Sequence, residues 1–297
     1  MMEQGRIADD ARAGTTAVPA RHATKAAPVR IECTGLTHAG RVRSNNEDHF
    51  VIASMRKSVD VTDTNVEDRE VFSVLQAPSA HLLVVADGVG GRSGGRIASG
   101  MAVQTIVQYL SEAVGCYQRM DVNAEHEFLE HLTSAVQQSH DRIQSEFGSQ
   151  GGPATTVTMV TLVWPRAYFV HAGDSRAYFL RDGRLRQITQ DQTMGDLMVD
   201  IGVMKEDEAR KGGLFDVLAS AVGGELSPSV GLVDLQPDDV LMLCTDGLTR
   251  HLDDARIAST LAAAPDSASA CKSLIDGALQ EGGLDNVTVV VARCTPA

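Results

Sequence analysis

Aspartate residues stand at the ends of several short apolar segments of this chain. Four of these carboxylates belong to Asp87, Asp174, Asp246 and Asp285. Burying such groups close together without partners is costly, because they repel one another and lose their hydration. A divalent cation removes that conflict, since Mg²⁺ and Mn²⁺ prefer oxygen ligands in octahedral geometry. Two such ions about 4 Å apart activate a bridging water for in-line attack at phosphorus.

An arginine and two further acidic residues, Arg43, Glu47 and Asp48, lie together in the segment R-S-N-N-E-D. Gly88 follows Asp87 directly, and a glycine there lets the backbone carbonyl approach a cation and eases the turn. A single Asp-Gly pair usually marks only a turn. The whole ordered set of carboxylates is much more specific, and it predicts a cation site.

The elements that must position these residues are of mixed type. Apolar and β-branched runs predict strands at 82–86, 155–164, 167–172, 177–180, 184–188, 240–244 and 287–292. Helical periodicity predicts helices at 97–114, 125–147, 254–263 and 267–280. The Asp182–Gly183 pair predicts a hairpin turn. Tight turns between strands indicate antiparallel sheet, and paired helices between strand blocks indicate an α+β layered fold.

Charge and composition narrow the classes of partner. Of the 297 residues, 43% are hydrophobic, and the net charge is −13. Nucleic acids and anionic membrane surfaces call for the opposite sign, so neither is expected as a partner. No apolar run reaches the roughly 18–20 residues that span a bilayer. The N-terminus lacks the apolar stretch of a signal peptide, and the five widely spaced Cys without a CxxC pair fit a reducing compartment. We therefore expect a cytoplasmic protein.

Residues 1–30 differ from the rest of the chain. They are rich in Ala, Arg, Thr and Gly and show no apolar periodicity, which predicts a disordered tail. A docking arm is the alternative. Residues 31–297 are expected to form one domain, because no internal repeat or second domain is evident.

Six motifs in order resemble the metal-dependent protein phosphatases of type 2C, in their bacterial branch. The likeness covers about residues 35–293. The motifs are R-S-N-N-E-D at 43–48, D-G-V-G-G at 87–91, A-T-T at 154–156, A-G-D-S-R at 172–176, T-D-G-L-T at 245–249 and D-N-V-T at 285–288. The resemblance implies a four-layer α-β-β-α sandwich, with two antiparallel sheets flanked by helices, and identifies 31–297 as the catalytic domain.

The resemblance also implies the metal ligands. Asp87 would bridge two core ions of Mg²⁺ or Mn²⁺. Glu47 and the carbonyl of Gly88 would complete one site, while Asp246 and Asp285 hold the other. The implied reaction is hydrolysis of phosphoserine and phosphothreonine by direct attack of a water that bridges the two metals.

Three further roles follow from the same likeness. Asp174, with Asp246, would bind a third and weaker metal. Asp48 would orient metal-bound water, and Arg43 would grip the substrate phosphate, a task suited to a guanidinium fork. The implied partners are phosphorylated proteins, including autophosphorylated forms of a Ser/Thr kinase, and a monomer is expected.

The sequence departs from the family pattern in two places. Val89 stands where some members have a histidine that could act as general acid. The segment 194–222, which we call the flap, matches poorly, although it corresponds to the segment beside the active site. Leaving-group protonation, substrate choice and loop mobility are therefore open.

Three alternative functions are compared with the sequence. Cys244 and Arg250 have the spacing of a cysteine-dependent phosphatase loop, but a Cys that closes an apolar strand suggests a packed thiol. Gly91, Ser93 and Gly95 fit the G-x-S-x-G pattern, yet Ser93 lies several residues beyond the strand end that a nucleophile elbow requires. A domain that binds phosphoprotein without hydrolysing it is the third alternative, and its metal carboxylates would usually be lost.

Overall fold

The fold is described from a computed structural model that covers residues 28–55, 80–90, 94–113, 122–148 and 151–296. The strands, in chain order β1 to β12, are Val29–His38, His49–Met55, Ala80–Ala86, Gly88–Val89, Ala154–Thr155, Val157–Val163, Arg166–Ala172, Arg176–Arg181, Arg184–Gln187, Ser229–Asp234, Val240–Cys244 and Val287–Pro296. The helices, α1 to α7, are Gly94–Ala113, Val122–Phe147, Met194–Asp200, Glu206–Lys211, Asp246–Thr249, Asp254–Ala263 and Ser267–Gln280. A 3₁₀ turn spans Leu214–Asp216.

Two antiparallel five-stranded sheets form the centre of the molecule. The first has the order β1-β12-β11-β8-β9, and the second has the order β10-β7-β6-β3-β2. Strands β3, β6 and β11 are apolar and buried over most of their length, as expected of strands covered on both faces. The α+β expectation and the antiparallel pairing are therefore confirmed.

Three apolar clusters hold the layers together. One lies between the two sheets and includes Leu83, Val160 and Leu243. A second packs α1 and α2 on the second sheet, where the rings of Phe128 and Tyr168 meet edge to face at 4.9 Å. The third packs α6 and α7 on the first sheet. The order of layers is helix, sheet, sheet, helix, which confirms the predicted sandwich.

Most predicted elements are present, with shifts at their ends. The helices at 254–263 and 267–280 coincide with α6 and α7, and Asp182 and Gly183 both have positive φ, 50° and 73°, as the predicted hairpin turn requires. β10 was not predicted, since its exposed edge position leaves only every second residue half-buried. The short helices α3 and α4 of the flap were also missed.

The boundary of the predicted tail needs a correction. β1 begins at Val29 and pairs with β12 from that residue onward, so the first sheet starts inside the predicted tail, at Val29 rather than Ile31. The rest of the tail, residues 1–27, lies outside the described residues. No helix within the described ranges is both long and apolar enough to cross a membrane.

Candidate metal centre

One cavity of about 840 Å³ opens where strands of both sheets end. Its lining includes seven of the eight residues that the sequence analysis selected, namely Arg43, Glu47, Asp87, Gly88, Asp174, Asp246 and Asp285. Asp87 directly follows β3. Asp174 is the second residue after the end of β7, and Asp246 is the second residue after the end of β11 and the first of α5. These positions come from distant parts of the chain, so the convergence results from the sheet order.

The carboxylates in this cavity are close enough to perturb one another. The pKa of Asp87 is raised well above its usual range, first by burial and then by the charges of Asp48, Asp246 and Asp174. Burial raises the pKa of Asp174 to about 7, and the charge of Asp246 adds to the shift. Burial also raises the pKa of Asp246, although the charge of Arg250 opposes the shift. A cluster of acids with raised pKa values is typical of a site that holds a cation.

Two arginines engage carboxylates of the cluster. Arg43 Nη2 lies 2.7 Å from Asp285 Oδ2, and Arg250 Nε lies 2.6 Å from Asp246 Oδ2. Among the described residues, no three or more His, Cys, Asp or Glu side chains already form a group able to hold a metal ion. The predicted ligands therefore share one cavity without forming a closed cage, and their assignment as ligands stays a prediction.

Unpartnered buried oxygens test whether a cation fits this cavity. Within the described part of the chain, Asp246 Oδ1 and Asp48 Oδ1 are buried and have no hydrogen-bond partner. A buried carboxylate oxygen without a partner is strongly destabilising. A divalent cation with oxygen ligands would satisfy Asp246 Oδ1, so the donor set fits Mg²⁺ or Mn²⁺.

Two glycines bring Glu47 to the cavity wall. A Cβ atom built on Gly88 would lie 2.2 Å from the carbonyl oxygen of Gly95 and 2.8 Å from that of Glu47. A Cβ built on Gly95 would lie 2.8 Å from Glu47 Oε2. Only glycine permits this close approach of α1 to the turn after β3. Because neither glycine has a side chain, the Glu47 carboxylate can lie close to the carbonyl of Gly88.

Asp48 occupies a different position from the other predicted residues. It is 4% exposed and does not line the cavity. Its Oδ2 accepts hydrogen bonds from the hydroxyls of Thr245 at 2.9 Å and Thr288 at 2.6 Å. Burial raises the pKa of Asp48 to about 7, although the two hydroxyls oppose the shift. Asp48 is therefore bound to Thr245, the residue before Asp246, and its contact with a metal-bound water stays a prediction.

Asn286 is a site residue to which the sequence analysis gave no role. Its side chain accepts a hydrogen bond from the Glu47 backbone N–H at 2.8 Å and donates to the carbonyls of Ala39 at 2.9 Å and Asn45 at 2.8 Å. This one amide fixes the loop that carries Arg43 and Glu47. Its place next to Asp285 was the available signal, but the loop it binds is far away in sequence.

Arg250 is the second residue that was missed as part of this site. From sequence, Arg250 has a predicted role only as the partner of Cys244 in a cysteine-dependent phosphatase loop. Burial raises the pKa of the Cys244 thiol to about 12, and the side chain is fully buried, which contradicts a thiolate nucleophile at neutral pH. The spacing that mattered is the one from Asp246 to Arg250, one helical turn apart. Ser93, the other rival nucleophile, lies outside the described residues.

Known proteins resemble this chain over most of its length. The model of the protein phosphatase 2C family matches residues 61–274, more than half of the 297 residues. The chain belongs to the protein phosphatase 2C family. Its expected membership of this family is thereby confirmed.

Three relatives illustrate the likeness. The serine/threonine protein phosphatase PstP of Mycobacterium tuberculosis is 34% identical over 217 residues, which are 72% of this chain and 40% of the relative. The protein phosphatase PhpP of Streptococcus pneumoniae is 27% identical, over 88% of this chain and 96% of the relative. A solved catalytic domain of PstP in complex with two manganese ions superposes with a TM-score of 0.66, at 28% identity, over 90% of this chain and all of that one. The chain thus spans about two fifths of the mycobacterial relative's length.

Proposed function

We propose that this protein is a metal-dependent phosphatase that hydrolyses phosphoserine and phosphothreonine in proteins. The observation that carries the proposal is the convergence of Glu47, Asp87, Asp246 and Asp285 on one cavity that also holds Arg43. The names of its relatives, which are serine/threonine phosphatases, support the same activity. Divalent cations held by these carboxylates would supply an activated water and offset charge on the phosphoryl oxygens.

The protein's own groups have distinct tasks in this proposal. Asp87, Asp246 and Asp285, with Glu47 and the carbonyl of Gly88, would hold the two core cations, and Asp174 would add a weaker third position. Arg43 is 57% exposed at the edge of the cavity, where its fork is able to bind two phosphoryl oxygens. Arg43 is paired with Asp285. In this proposal the substrate phosphate replaces Asp285 as the anionic partner of Arg43.

Substrates and partners follow from the reaction class. Phosphorylated proteins are the proposed substrates, and a Ser/Thr kinase, including its autophosphorylated form, is the enzyme class that this activity opposes. A monomeric state and a cytoplasmic location remain predictions of the sequence. The cavity is also lined by apolar residues, Val89 and the flap residues Val217 and Leu218, which are suited to contact a peptide segment around the phosphorylated residue.

The proposal is tested by phosphate release from a phosphothreonine peptide in Mn²⁺ or in EDTA. We compare the wild-type protein with Asp87→Asn and Cys244→Ser, and with Asp238→Asn as a matched control at an exposed turn. We expect hydrolysis that needs Mn²⁺, is lost in Asp87→Asn and persists in both Cys244→Ser and Asp238→Asn. Hydrolysis that survives EDTA would contradict the metal mechanism. A folded protein with no hydrolysis at saturating Mn²⁺ would favour the binding-domain alternative.

A further inference from the structure

Arg250 joins the metal carboxylates to the flap. Its Nε lies 2.6 Å from Asp246 Oδ2, and its Nη2 lies 3.3 Å from Asp216 Oδ1. The first contact is fixed by the backbone, because the Arg250 N–H donates to the Asp246 carbonyl at 2.8 Å and so completes the turn of α5. The second contact reaches the last residue of the 3₁₀ turn that ends the flap's helical part.

The same residues form the partition between two cavities. A second cavity of about 550 Å³ lies under the flap. It shares four lining residues with the first cavity, namely Asp174, Asp216, Asp246 and Arg250. One guanidinium therefore stands among three carboxylates at the point where the flap meets the metal centre.

The ring of Phe215 links the 3₁₀ turn that ends at Asp216 to the two flap helices. The ring of Phe215 contacts Gly195 of α3 so closely that a Cβ there would lie 2.7 Å from the ring. Arg210 of α4 also lies over this ring, with its Cζ 5.2 Å from the ring centroid. Phe215 is the neighbour of Asp216 in the chain, so Asp216 lies next to a ring that contacts both α3 and α4.

Asp246 Oδ2 is engaged by Arg250, while Asp246 Oδ1 is buried and has no partner among the described residues. A divalent cation at this carboxylate would face the positive charge of Arg250 at short range, and like charges at such distance oppose each other. The two cations thus compete for Asp246. Because Arg250 also binds Asp216, the competition extends to the position of the flap.

We propose that Arg250 is a positioning residue that lowers the metal affinity of the Asp246 site and holds the flap against the core through Asp216. The inference rests on the proposed metal centre. By linkage, metal bound at Asp246 weakens the hold of Arg250 on that carboxylate and so loosens the flap, and a held flap weakens metal binding by the same factor. Arg250 makes no contact with substrate in this scheme.

The test compares the full-length wild type with Arg250→Gln, Asp216→Asn and Lys272→Gln, using Mn²⁺ alone as the probe. Lys272→Gln is the matched control, because Lys272 also pairs at i,i+4 with an aspartate, Asp276, on α7. Free Mn²⁺ is followed by electron paramagnetic resonance. Flap opening is followed by the rate of limited trypsin cleavage after Lys205, Arg210 and Lys211, all of which are exposed.

We expect Arg250→Gln to tighten Mn²⁺ binding about five-fold, a size set by an ion pair that is half exposed to solvent. The same variant should cleave faster in the flap than wild type, at a rate that Mn²⁺ no longer changes. Asp216→Asn should also cleave faster and, by the same linkage, should tighten Mn²⁺ binding, but by less than Arg250→Gln does, because the charge of Arg250 remains beside Asp246. Lys272→Gln should match wild type in both measurements.

Three outcomes would overturn the inference. One is an Arg250→Gln protein whose Kd for Mn²⁺ lies within about two-fold of the wild-type value, instead of being about five-fold lower. Another is flap cleavage in Arg250→Gln that is as slow as in wild type. A wild-type protein that binds no Mn²⁺ would overturn both this inference and the proposed metal mechanism, whereas the first two outcomes leave the phosphatase proposal intact.

Discussion

Two of the carboxylates that the proposed reaction needs for metal binding form ion pairs with arginine side chains. Arg43 pairs with Asp285 and Arg250 pairs with Asp246, and both pairs are partly open to solvent. Ion pairs of this exposure contribute little to stability, about 0–1 kcal/mol. Their importance lies in the site itself, because each guanidinium balances negative charge that would otherwise collect around Asp87.

At the residue scale, the identities of the site residues were readable from sequence, but their pairings were not. Asp87, Asp174 and Asp246 could be selected because each follows an apolar strand. The hydrogen bonds from Thr245 and Thr288 to Asp48 join positions about 200 and 240 residues apart along the chain. Such contacts depend on which strands become neighbours in a sheet, and local periodicity does not contain that information.

His171 provides a prediction at the same scale. It is fully buried, its Nε2 donates to the Gln190 carbonyl at 3.0 Å, and burial lowers its pKa from 6.5 to about 4. The unfolded chain therefore binds a proton at His171 between pH 6.5 and 4 that the folded protein does not, so the contribution of His171 to the free energy of unfolding falls as pH drops through this window. By pH 5 the loss should be about 2 kcal/mol.

Urea unfolding at pH 7 and pH 5, for wild type and His171→Gln, checks this prediction. Glutamine has no titrating group there, so the pH dependence of the variant should be smaller than that of wild type by about 2 kcal/mol. Equal pH dependence in the two proteins would show that His171 titrates normally.

At the element scale, the turn after β3 and the start of α1 are packed at the limit that glycine allows. A Cβ at Gly95 would lie 2.6 Å from the Gly88 carbonyl oxygen. We expect Gly95→Ala to lower the free energy of unfolding by about 1–3 kcal/mol, as overpacking does. Hydrolysis should fall as well, because the Gly88 carbonyl and Glu47 would be displaced.

Gly100→Ala is the matched control, since Gly100 lies on the same helix and its nearest contact to an added Cβ is an ordinary 3.5 Å. That change should leave activity unaltered and raise the free energy of unfolding by about 0.5–1 kcal/mol, through helix propensity. Urea titration of both variants measures the difference. A Gly95→Ala protein as stable and active as Gly100→Ala would contradict the described packing.

Helices and strands could be predicted from sequence when their packing requires a clear apolar pattern, and were missed when it does not. Buried strands such as β11 and amphipathic helices such as α6 and α7 were predicted with little error, because each carries a clear apolar run or stripe. β10 was missed because Val230 and Leu232 are exposed at a sheet edge. The flap helices are only seven and six residues long, which is too short for periodicity to identify.

At the scale of the whole molecule, charge should influence which phosphoproteins are hydrolysed fastest. The chain carries a net charge of −13, and carboxylates line both cavities. A phosphothreonine flanked by Lys and Arg should therefore be attracted, and one flanked by Asp and Glu repelled, over distances near the Debye length of about 10 Å at 0.1 M salt.

The ratio of kcat/KM for a basic and an acidic phosphothreonine peptide measures this effect. We expect the basic peptide to be favoured at least about three-fold at low ionic strength, with the ratio approaching one as salt is added. A ratio that does not change with salt would mean that selectivity arises from close contacts in the cavity instead.

Carboxylates from both sheets line one cavity, and the proposed function depends on their holding catalytic cations. The rate of phosphate release from a phosphothreonine peptide, at saturating Mn²⁺, for wild type and Asp246→Asn, tests it most directly. We expect Asp246→Asn to lower the rate by at least about 100-fold, as loss of one preorganised electrostatic group does, while its unfolding curve stays close to that of wild type. A folded Asp246→Asn protein with near wild-type turnover would remove Asp246 from the site and contradict the account.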